Sequence, residues 1–326
     1  MEDPKSVFLA ASFATPPEVK PLPADASSRR YYRLEVVPKL LMEMEPGAAD
    51  FEPFVQISRY LNEIGLSAPR VFHSDLDQGL ALIEDFGSST FTQLLASGHD
   101  EKSLYRLAVD ALVHLHEAPV APPETVPPYD FGPLHAELEM FTRWYVPQCA
   151  AGVDPVSFEA EFLALWDKAL AEIATCRDVL VLRDFHVDNL MVVSGRPGPA
   201  ACGLLDFQDG LRGSSAYDLV SLTQDARRDL SPGLEMELVE HYLARRPHID
   251  SRTFLADYWL LAAHRHTKIL GNFERLSKRD GKHGYLAFLP RVQAQLRRAL
   301  AEAGLSDIAR LMDEKLPGWD THRPVT

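Results

Sequence analysis

Short runs of alternating apolar and polar residues mark the first part of the chain. YYRLEVV and KLLMEME alternate as paired strands do, and APRVFHSDLD and GLALIED form a second pair, separated by an Asp, Gln and Gly cluster that is typical of a hairpin. Between the two pairs, FEPFVQISRYLNEIG places Phe51, Phe54, Ile57 and Leu61 on one face of a helix. The pattern predicts a small, strand-rich N-terminal lobe over residues 1–87.

From about Thr90 onward, the apolar spacing becomes helical. EKSLYRLAVDALVHLHEA carries a continuous stripe of Leu and Ala residues, and three short apolar strands, DVLVLRD, NLMVV and CGLLDF, interrupt the later helices. Further helices are predicted at about 135–146, 154–176, 216–230, 234–246, 252–277 and 290–303. The sequence therefore predicts an α+β protein, in which a larger helical lobe over residues 88–326 follows the small one.

Composition and charge narrow the class of protein. The chain has 326 residues, of which 46% are hydrophobic and 25% charged, as in an ordinary globular protein. The formal net charge of -14 argues against broad binding to nucleic acid or to an anionic membrane, because both require clustered Lys and Arg. Three widely spaced cysteines form no CxxC pair, and neither a secretory signal nor a membrane-spanning run is evident. We expect a cytoplasmic protein.

The segment LRDFHVDNLMV crowds Arg, Asp, His and Asn side chains between two apolar strands. Burying such groups costs free energy unless each finds a partner, so the segment indicates a site. Asp184 ends one strand, Asn189 starts the next and Asp206 ends a third, so we expect their side chains to converge at one sheet edge. Mg²⁺ prefers oxygen ligands such as Asn189 and Asp206 offer, and Asp184 is placed to accept the proton of an attacking hydroxyl. This combination is typical of phosphoryl transfer.

The same motifs resemble a known family. RDFHVDN, followed by LLDFQDG and AYDLVSL, resembles the aminoglycoside phosphotransferase-like branch of the protein-kinase fold. A more specific resemblance is to the bacterial anomeric kinases of N-acetylmuramate and N-acetylglucosamine, and it covers about residues 24–292. The stretches that carry it are VLVLRDFHVDNLMVV, ADASSRRYYRL and AAHRHTKILGNFERLSKRDGKHGYLAFLPRV. It implies a bilobal protein-kinase-like fold, with a small antiparallel β-rich N-lobe. It also implies that ATP phosphorylates the anomeric hydroxyl of an amino sugar for cell-wall precursor recycling.

The resemblance assigns roles to individual residues of the larger lobe. Asp184 falls on the catalytic base, and Asn189 and Asp206 fall on the metal ligands. Arg183 precedes the base as in kinases generally. Asp218 falls on a buried acid that holds the catalytic loop, although an acid at a helix N-terminus is favoured by the helix dipole alone.

In the small lobe, the resemblance implies a nucleotide site. ADASSRRYYRL occupies the place of the phosphate-covering loop but contains no Gly; Ser27 and Ser28 offer donors to phosphate oxygens, with Arg29 or Arg30 adding charge. LIEDFG is the segment that joins the lobes, with the backbone of Glu84 and Phe86 facing an adenine edge. The expected strand lysine is absent, because KLLMEMEP has methionines at that place and Lys39 only at its start.

Candidate acceptor residues are less distinct. His186 lies in the catalytic loop, where a structural hydrogen bond is as good an explanation as substrate contact. Gln208 and Asp209 follow the metal Asp and border the expected acceptor pocket. Arg265 is suited to grip an acidic substituent such as the lactyl carboxylate of N-acetylmuramate, since a guanidinium binds a carboxylate through two parallel bonds; the alternative is a surface arginine.

Three functions remain open on the sequence alone. The first is an amino-sugar kinase that uses ATP and Mg²⁺, acting as a monomer or weak dimer without nucleic-acid or membrane partners. The second is a kinase of the same fold for another hydroxyl compound, such as an aminoglycoside, choline or homoserine. The third is a regulatory pseudokinase, which the missing Gly-rich loop and strand lysine suggest and the intact Asp184, Asn189 and Asp206 oppose.

Overall fold

The chain divides into two compact units, each built from two stretches of sequence. The structure, a computed structural model, describes residues 3–23, 29–35, 37–149 and 152–322. One unit comprises Met1–Val126 with Leu182–Gly210, and the other comprises Pro127–Val181 with Leu211–Thr326. The predicted lobe boundary at residue 87 is a different division of the chain and stays a prediction.

Strands are short and lie mostly in the first unit. They are β1 (Val19–Pro21), β2 (Arg30–Leu34), β3 (Lys39–Glu43), β4 (Val71–Asp75), β5 (Leu80–Glu84), β6 (Val179–Val181), β7 (Leu190–Val192), β8 (Cys202–Leu204) and β9 (Leu211–Gly213). The α-helices are α1 (Pro4–Ser12), α2 (Phe51–Glu63), α3 (Phe91–Ala96), α4 (Glu101–His116), α5 (Phe131–Met140), α6 (Val146–Cys149), α7 (Pro155–Leu170), α8 (Ala216–Thr223), α9 (Leu234–Ala244), α10 (Ser251–Asp280), α11 (Leu289–Glu302) and α12 (Ser306–Lys315). This content confirms the predicted α+β class.

The first unit contains a five-stranded antiparallel sheet in the order β1-β2-β3-β5-β4. Its central strands pair Leu41 with Leu82, and both side chains are buried. Helix α1, which the sequence did not predict, covers this apolar face with Phe8 and Leu9. Apolar burial on one face of the sheet therefore fixes the register of the strands, because a one-residue slip would turn every side chain to the other face.

A second, smaller hairpin of the first unit carries the polar motifs. β7 and β8 pair antiparallel, with Leu190 opposite Leu204. The N–H of Leu204 also donates to the carbonyl of Ser67 at 2.7 Å, which ties the hairpin to the segment that follows α2. Phe54 of α2 stacks on Phe207 with ring centroids 5.2 Å apart. The predicted amphipathic face of α2 is thus confirmed, and it packs against the residues that follow β8.

The second unit is organised around α10, which has 30 residues. The helix begins at Ser251, because the Asp250 side chain accepts a hydrogen bond from the N–H of Thr253 at 2.8 Å. It ends where Gly281 adopts the left-handed conformation, with φ of 68°. These two caps lie close to the ends predicted from the apolar pattern.

Two other predicted helices differ from the structure. The helix expected at 216–230 ends at Thr223, because Gln224 leaves the helical conformation and its side chain bonds Tyr258 at 3.1 Å. The helix expected at 135–146 begins at Phe131 and passes into a π-helix over Phe141–Tyr145. The first difference arises from a tertiary contact, which periodicity does not report. The second helix begins earlier because the Asp130 side chain accepts a hydrogen bond from the N–H of Gly132 at 3.1 Å.

No helix among the described residues is long and apolar enough to cross a membrane. The cysteines Cys149, Cys176 and Cys202 are all free thiols. Burial raises the pKa of the Cys149 and Cys176 thiols to about 12, so both stay protonated at neutral pH.

Gly271 of α10 gives the first testable prediction. A Cβ atom at this position would lie 2.5 Å from the backbone nitrogen of Phe141 and closer still to the carbonyl group of Met140. Gly271→Ala is therefore expected to destabilise the protein by about 3 kcal/mol, because two backbones must separate. Urea unfolding followed by circular dichroism measures the change.

Gly284→Ala is the matched control, because nothing lies within 4 Å of its Cβ position. An ordinary Gly to Ala change inside a helix stabilises by about 1 kcal/mol, so the sign of the effect is diagnostic. A Gly271→Ala protein as stable as the parent would contradict the close approach of α10 to the π-helix.

Candidate functional site

Residues 182–189 form a tight loop that is closed by its own hydrogen bonds. The Asn189 side chain donates from Nδ2 to the carbonyl oxygen of Asp184 at 2.9 Å. The N–H of His186 also donates to Asp184 O at 3.1 Å, and the N–H of Asn189 donates to His186 O at 2.9 Å. The backbone of Asp184 is thus held by two donors, and its half-buried carboxyl group projects from a fixed position.

The β7–β8 hairpin brings Asp206 to the same loop. The N–H of Leu205 donates to the backbone oxygen of Asn189 at 3.0 Å. Asp206 is the next residue, so the Asn189 and Asp206 side chains start from neighbouring positions on two hydrogen-bonded segments. The structure therefore brings together the three residues Asp184, Asn189 and Asp206 at one end of this hairpin.

Backbone conformation also singles out this region. Arg183 and Asp206, with φ of 70° and 58°, are the two residues other than glycine that have positive φ in the described part of the chain. Such conformations are strained for a residue with a Cβ atom and are concentrated at functional sites. One precedes the proposed base and the other is a proposed metal ligand, and no local feature of the sequence indicates either conformation.

The loop contains two aspartates, and the structure distinguishes them. Asp188 is exposed, and its carboxylate accepts a hydrogen bond from the Thr92 hydroxyl of α3. Asp184 is half-buried, and its own carbonyl is the acceptor for Asn189. The position of Asp184 suits a group that acts on a bound molecule, whereas Asp188 joins the loop to α3.

Arg29 binds the carboxylate of Asp206. Its Nη2 donates to Asp206 Oδ1 at 2.5 Å, and its Nη1 donates to Gln208 Oε1 at 2.6 Å. Burial alone would lower the pKa of Arg29, but Tyr31 and Asp206 raise it above its ordinary value, so the side chain is a permanent cation. The sequence predicted Arg29 at nucleotide phosphates, and in this structure its guanidinium lies on the proposed metal ligand instead.

Gln208 completes this cluster. Its side chain is buried, and its Nε2 donates to Asp206 Oδ1 at 3.1 Å and to Asp209 Oδ2 at 3.0 Å. Arg183 contributes from the other side, since its Nη1 donates to the backbone oxygen of Asp209 at 3.3 Å. Gln208 therefore bonds a proposed metal ligand directly. That Gln208 and the exposed Asp209 border the acceptor pocket stays a prediction.

The donor set fits a magnesium ion. The amide NH₂ of Asn189 is committed to Asp184 O, which leaves Asn189 Oδ1 as the oxygen available to a cation. Both hydrogen bonds at Asp206 use Oδ1, and within the described residues none uses Oδ2. No group of three or more His, Cys, Asp or Glu side chains suited to a metal occurs in that part of the chain. Two protein oxygens suit Mg²⁺, which keeps waters and phosphate oxygens as its other ligands.

The segment LIEDFG, predicted to face adenine, is braced on both sides. The N–H of Glu84 donates to the carbonyl of Arg70 at 2.9 Å, so any contact with a base falls to the Glu84 carbonyl. The Glu84 carboxylate pairs with Arg196, whose guanidinium also lies 5.2 Å from the centre of the Phe86 ring. Phe86 in turn packs against the backbone of Gly203 in β8.

Arg196 is a residue that sequence reasoning missed. It follows β7 by four positions and lies 112 residues from Glu84 in the chain, so no local pattern connects the two. Arg196 reaches Glu84 because the turn after β7 lies beside the end of β5. A basic residue shortly after a proposed metal-binding segment is the only sequence signal it offers.

The remaining predicted residues are distributed as follows. Ser27 and Ser28 lie outside the described residues. His186 is buried in the loop of the first unit. Asp218 and Arg265 belong to the second unit, where Asp218 is buried in α8 and Arg265 is buried in α10. Arg265 Nη2 donates to Ser221 Oγ at 2.8 Å, so Arg265 is not the surface arginine that the sequence left open.

Comparison with known sequences shows a close similarity. The profile of the phosphotransferase enzyme family matches residues 18–255. The chain is 36% identical over 311 residues to the N-acetylmuramate/N-acetylglucosamine kinase of Caulobacter vibrioides, covering 92% of this chain and 83% of that protein. It is 32% identical over 311 residues to the kinase of the same name from Pseudomonas aeruginosa, covering 90% and 88%. The predicted family resemblance is confirmed.

Comparison with solved structures shows the fold. Wild-type aminoglycoside 2'-phosphotransferase-IIIa in its GDP complex superposes with a TM-score of 0.61 at 15% identity, covering 90% of this chain and 98% of that one. Choline kinase LicA from Streptococcus pneumoniae superposes with a TM-score of 0.59 at 13% identity, covering 88% and 93%. At such identities the likeness concerns the fold alone, and it confirms the predicted protein-kinase-like class.

Gly203 gives a prediction about the geometry of this site. A Cβ atom there would lie 2.8 Å from Cγ2 of Val193 and 3.0 Å from Cδ2 of Phe86. Gly203→Ala is expected to destabilise the protein by about 1–3 kcal/mol, because the Phe86 ring must move. A double-mutant cycle with Phe86→Leu, measured by urea unfolding, tests the contact, since the shorter side chain recovers part of the loss. Strictly additive effects would show that Phe86 does not lie against β8.

Proposed function

The chain belongs to the phosphotransferase enzyme family and transfers a phosphoryl group to an alcohol, and from this premise we propose that it is an ATP- and Mg²⁺-dependent kinase of N-acetylmuramate and N-acetylglucosamine. We place the phosphoryl group on the anomeric hydroxyl and the reaction in the recycling of cell-wall sugars. The observation that carries the acceptor is the name N-acetylmuramate/N-acetylglucosamine kinase, which relatives 36% and 32% identical to the chain share.

Asp184 is the proposed general base. Its backbone is fixed by donors from Asn189 and His186, so its carboxyl group needs little reorganisation before it accepts the proton of the sugar hydroxyl. A positioned base of this kind contributes about 10²- to 10⁴-fold in rate. Arg183 and Asp218 are the proposed supports of the loop, and for Arg183 the bond to the Asp209 carbonyl supports this role.

Asn189 and Asp206 are the proposed metal ligands. Their support is the fixed orientation of the Asn189 amide and the start of both side chains from hydrogen-bonded neighbouring segments. A magnesium ion held by these two residues would neutralise charge on the transferring phosphoryl group. Asn189 would contribute its amide oxygen, and Asp206 its carboxylate.

The proposed nucleotide site is formed by Glu84 and Phe86 for adenine, with Ser27, Ser28 and Arg29 for the phosphates. Aminoglycoside phosphotransferases of similar fold have been solved with ADP and with ATP bound, which supports nucleotide use. The pairing of Glu84 with Arg196 holds the segment that presents its backbone to the base.

The proposed acceptor contacts are His186, Gln208, Asp209 and Arg265. A guanidinium that donates only to a Ser hydroxyl among the described residues retains donors for a carboxylate, so we assign Arg265 to the lactyl group of N-acetylmuramate. The net charge of -14 supports the proposal that neither nucleic acid nor an anionic membrane is a partner. We further propose that the protein acts in the cytoplasm, as a monomer or weak dimer.

A substrate panel tests the proposed function. The pure protein with ATP and Mg²⁺ is expected to convert N-acetylmuramate and N-acetylglucosamine to sugar 1-phosphates, detected by phosphorus NMR, and to stop when EDTA removes the metal. An aminoglycoside, choline and homoserine serve as comparison acceptors. A phosphate on a non-anomeric hydroxyl, or on one of those comparison compounds alone, would replace the proposal by the second candidate; no product at all would favour the pseudokinase.

Asp184→Asn tests the assignment of the base. The substitution preserves the shape of the loop and removes the proton acceptor, so kcat is expected to fall about 10²- to 10⁴-fold while nucleotide affinity is retained. Asp188→Asn is the matched control, since it removes the same charge from the exposed aspartate of the same loop. Steady-state kinetics and calorimetric nucleotide binding report the two properties. An equal loss in both variants would remove Asp184 from the role of base.

A further inference from the structure

The proposed enzyme lacks the lysine that pairs with nucleotide phosphates in related folds. Met42 stands in the middle of β3 and is fully buried. Lys39, at the start of the strand, has its ammonium group 4.3 Å from the centre of the Phe72 ring and 5.3 Å from that of Phe13. The strand therefore has no cation near the catalytic carboxylates, and the phosphates need another partner.

Three other cations of the first unit pair with carboxylates other than Asp184 and Asp206. Arg33 Nε binds Asp85 Oδ2 at 2.5 Å, Lys5 Nζ binds Glu43 Oε1 at 3.2 Å, and Arg196 binds Glu84. Arg29 differs from these, because its partners are Asp206 and Gln208. Its guanidinium therefore lies directly on a proposed metal ligand.

The Arg29 side chain also starts on the face of the sheet where the missing lysine is expected. It directly precedes β2, in which Tyr31 pairs with Met42. Alternate residues along an extended chain share a face, and residues directly opposite each other on neighbouring strands share it too. The Arg29 side chain therefore starts on the same face of the sheet as Met42, one strand away.

We propose that Arg29 is the phosphate-binding cation that replaces the strand lysine, and that in the nucleotide-free protein it occupies Asp206 in place of the metal. This inference rests on the proposed function. When nucleotide and metal enter together, Asp206 exchanges the guanidinium for the metal, and Arg29 turns its donors to the phosphate oxygens. The exchange forms and breaks only ionic and hydrogen bonds.

Charge balance explains why both states are stable. Arg29 is 8% exposed, and a cation so buried requires an anionic partner. Asp206 is that partner before the ligand arrives, and phosphate is the partner afterwards. A planar guanidinium with five donors suits both carboxylate and phosphate geometry. Gln208 holds the resting state by accepting from Arg29 while donating to Asp206.

The competing explanation is that Arg29 is a permanent structural brace of Asp206. The two explanations predict opposite signs for metal binding. If Arg29 only braces Asp206, its removal disorders the carboxylate and weakens both metal and nucleotide. If Arg29 competes with the metal, its removal strengthens metal binding without nucleotide and weakens nucleotide binding.

The test uses Arg29→Gln and two readouts that need no turnover. Mn²⁺ binding in the absence of nucleotide, measured by the electron paramagnetic resonance of free Mn²⁺, is expected to become about tenfold tighter. Binding of a magnesium complex of a non-hydrolysable ATP analogue, measured by calorimetry, is expected to weaken about 10- to 100-fold, as when a charge-assisted hydrogen bond is lost. Arg29→Lys keeps the charge and is expected to restore most of the analogue affinity.

Arg59→Gln is the matched control, because it removes the same charge from an exposed arginine of α2, and Arg30→Gln tests the neighbouring arginine that the sequence left as the alternative phosphate contact. Both variants are expected to keep the two affinities of the parent protein, because the Arg59 and Arg30 side chains are exposed. Thermal melts confirm that each variant is folded. If Arg29→Gln is unfolded, Arg29→Met, which also removes the charge but keeps a long side chain for the buried position, supplies both measurements.

Three outcomes would overturn the inference: both affinities of Arg29→Gln falling together, neither changing, or Arg30→Gln reproducing its effect. Failure of the proposed function is recognised separately. A parent protein that binds no nucleotide and phosphorylates no sugar overturns that function and the phosphate role of Arg29 with it. The Mn²⁺ titration uses neither ligand, so it still decides whether Arg29 occupies Asp206.

Discussion

One hydrogen bond, from the Asn189 side chain to the carbonyl oxygen of Asp184, sets the geometry of the whole candidate site. It spans the five-residue interval of the motif and closes the loop on itself. Because the amide nitrogen is used in this bond, the amide oxygen is the group of Asn189 that is left for a cation. A single contact therefore fixes the position of the proposed base and the orientation of a proposed metal ligand.

The scaffold around this bond is rigid for reasons that lie outside the motif. The β7–β8 hairpin is bonded to Ser67, and the rings of Phe54 and Phe207 stack beside it. Buried aromatic contacts of this kind stabilise by about 0.5–1.5 kcal/mol beyond the area they bury. These contacts use only apolar side chains and the backbone, so the carboxylates and the amide of the site are not needed to hold the hairpin in place. The left-handed backbone conformation of Asp206 costs free energy, and the surrounding packing of the hairpin offsets it.

The sequence predicted local features well and long-range partners poorly. Helix α10 was predicted nearly to its ends, since an Asp cap, a sustained apolar stripe and a terminal Gly are all local signals. Helix α8 was predicted too long, because the bonds of Gln224 to Tyr258 and Glu235 end it and come from other helices. Asp184, Asn189 and Asp206 were recognisable because their residue types and spacing are typical of a phosphoryl-transfer site. The pairing of Arg29 with Asp206, 177 residues apart, has no local signal at all.

The pairing of Arg29 with Asp206 also reduces the repulsion between the carboxylates of the site, in a chain whose net charge is -14. The Gln208 amide donates to the carboxylates of both Asp206 and Asp209. In the proposed reaction, the polyphosphate of the nucleotide approaches these negative charges. A lysine fixed in β3 would neutralise the phosphates but leave Asp206 without a cation before they arrive. A guanidinium that starts on the next strand reaches the carboxylate first and has donors suited to phosphate later. In the proposed exchange, the absence of a lysine in the middle of β3 and the bond between Arg29 and Asp206 are linked, because one guanidinium serves the carboxylate first and the phosphates afterwards.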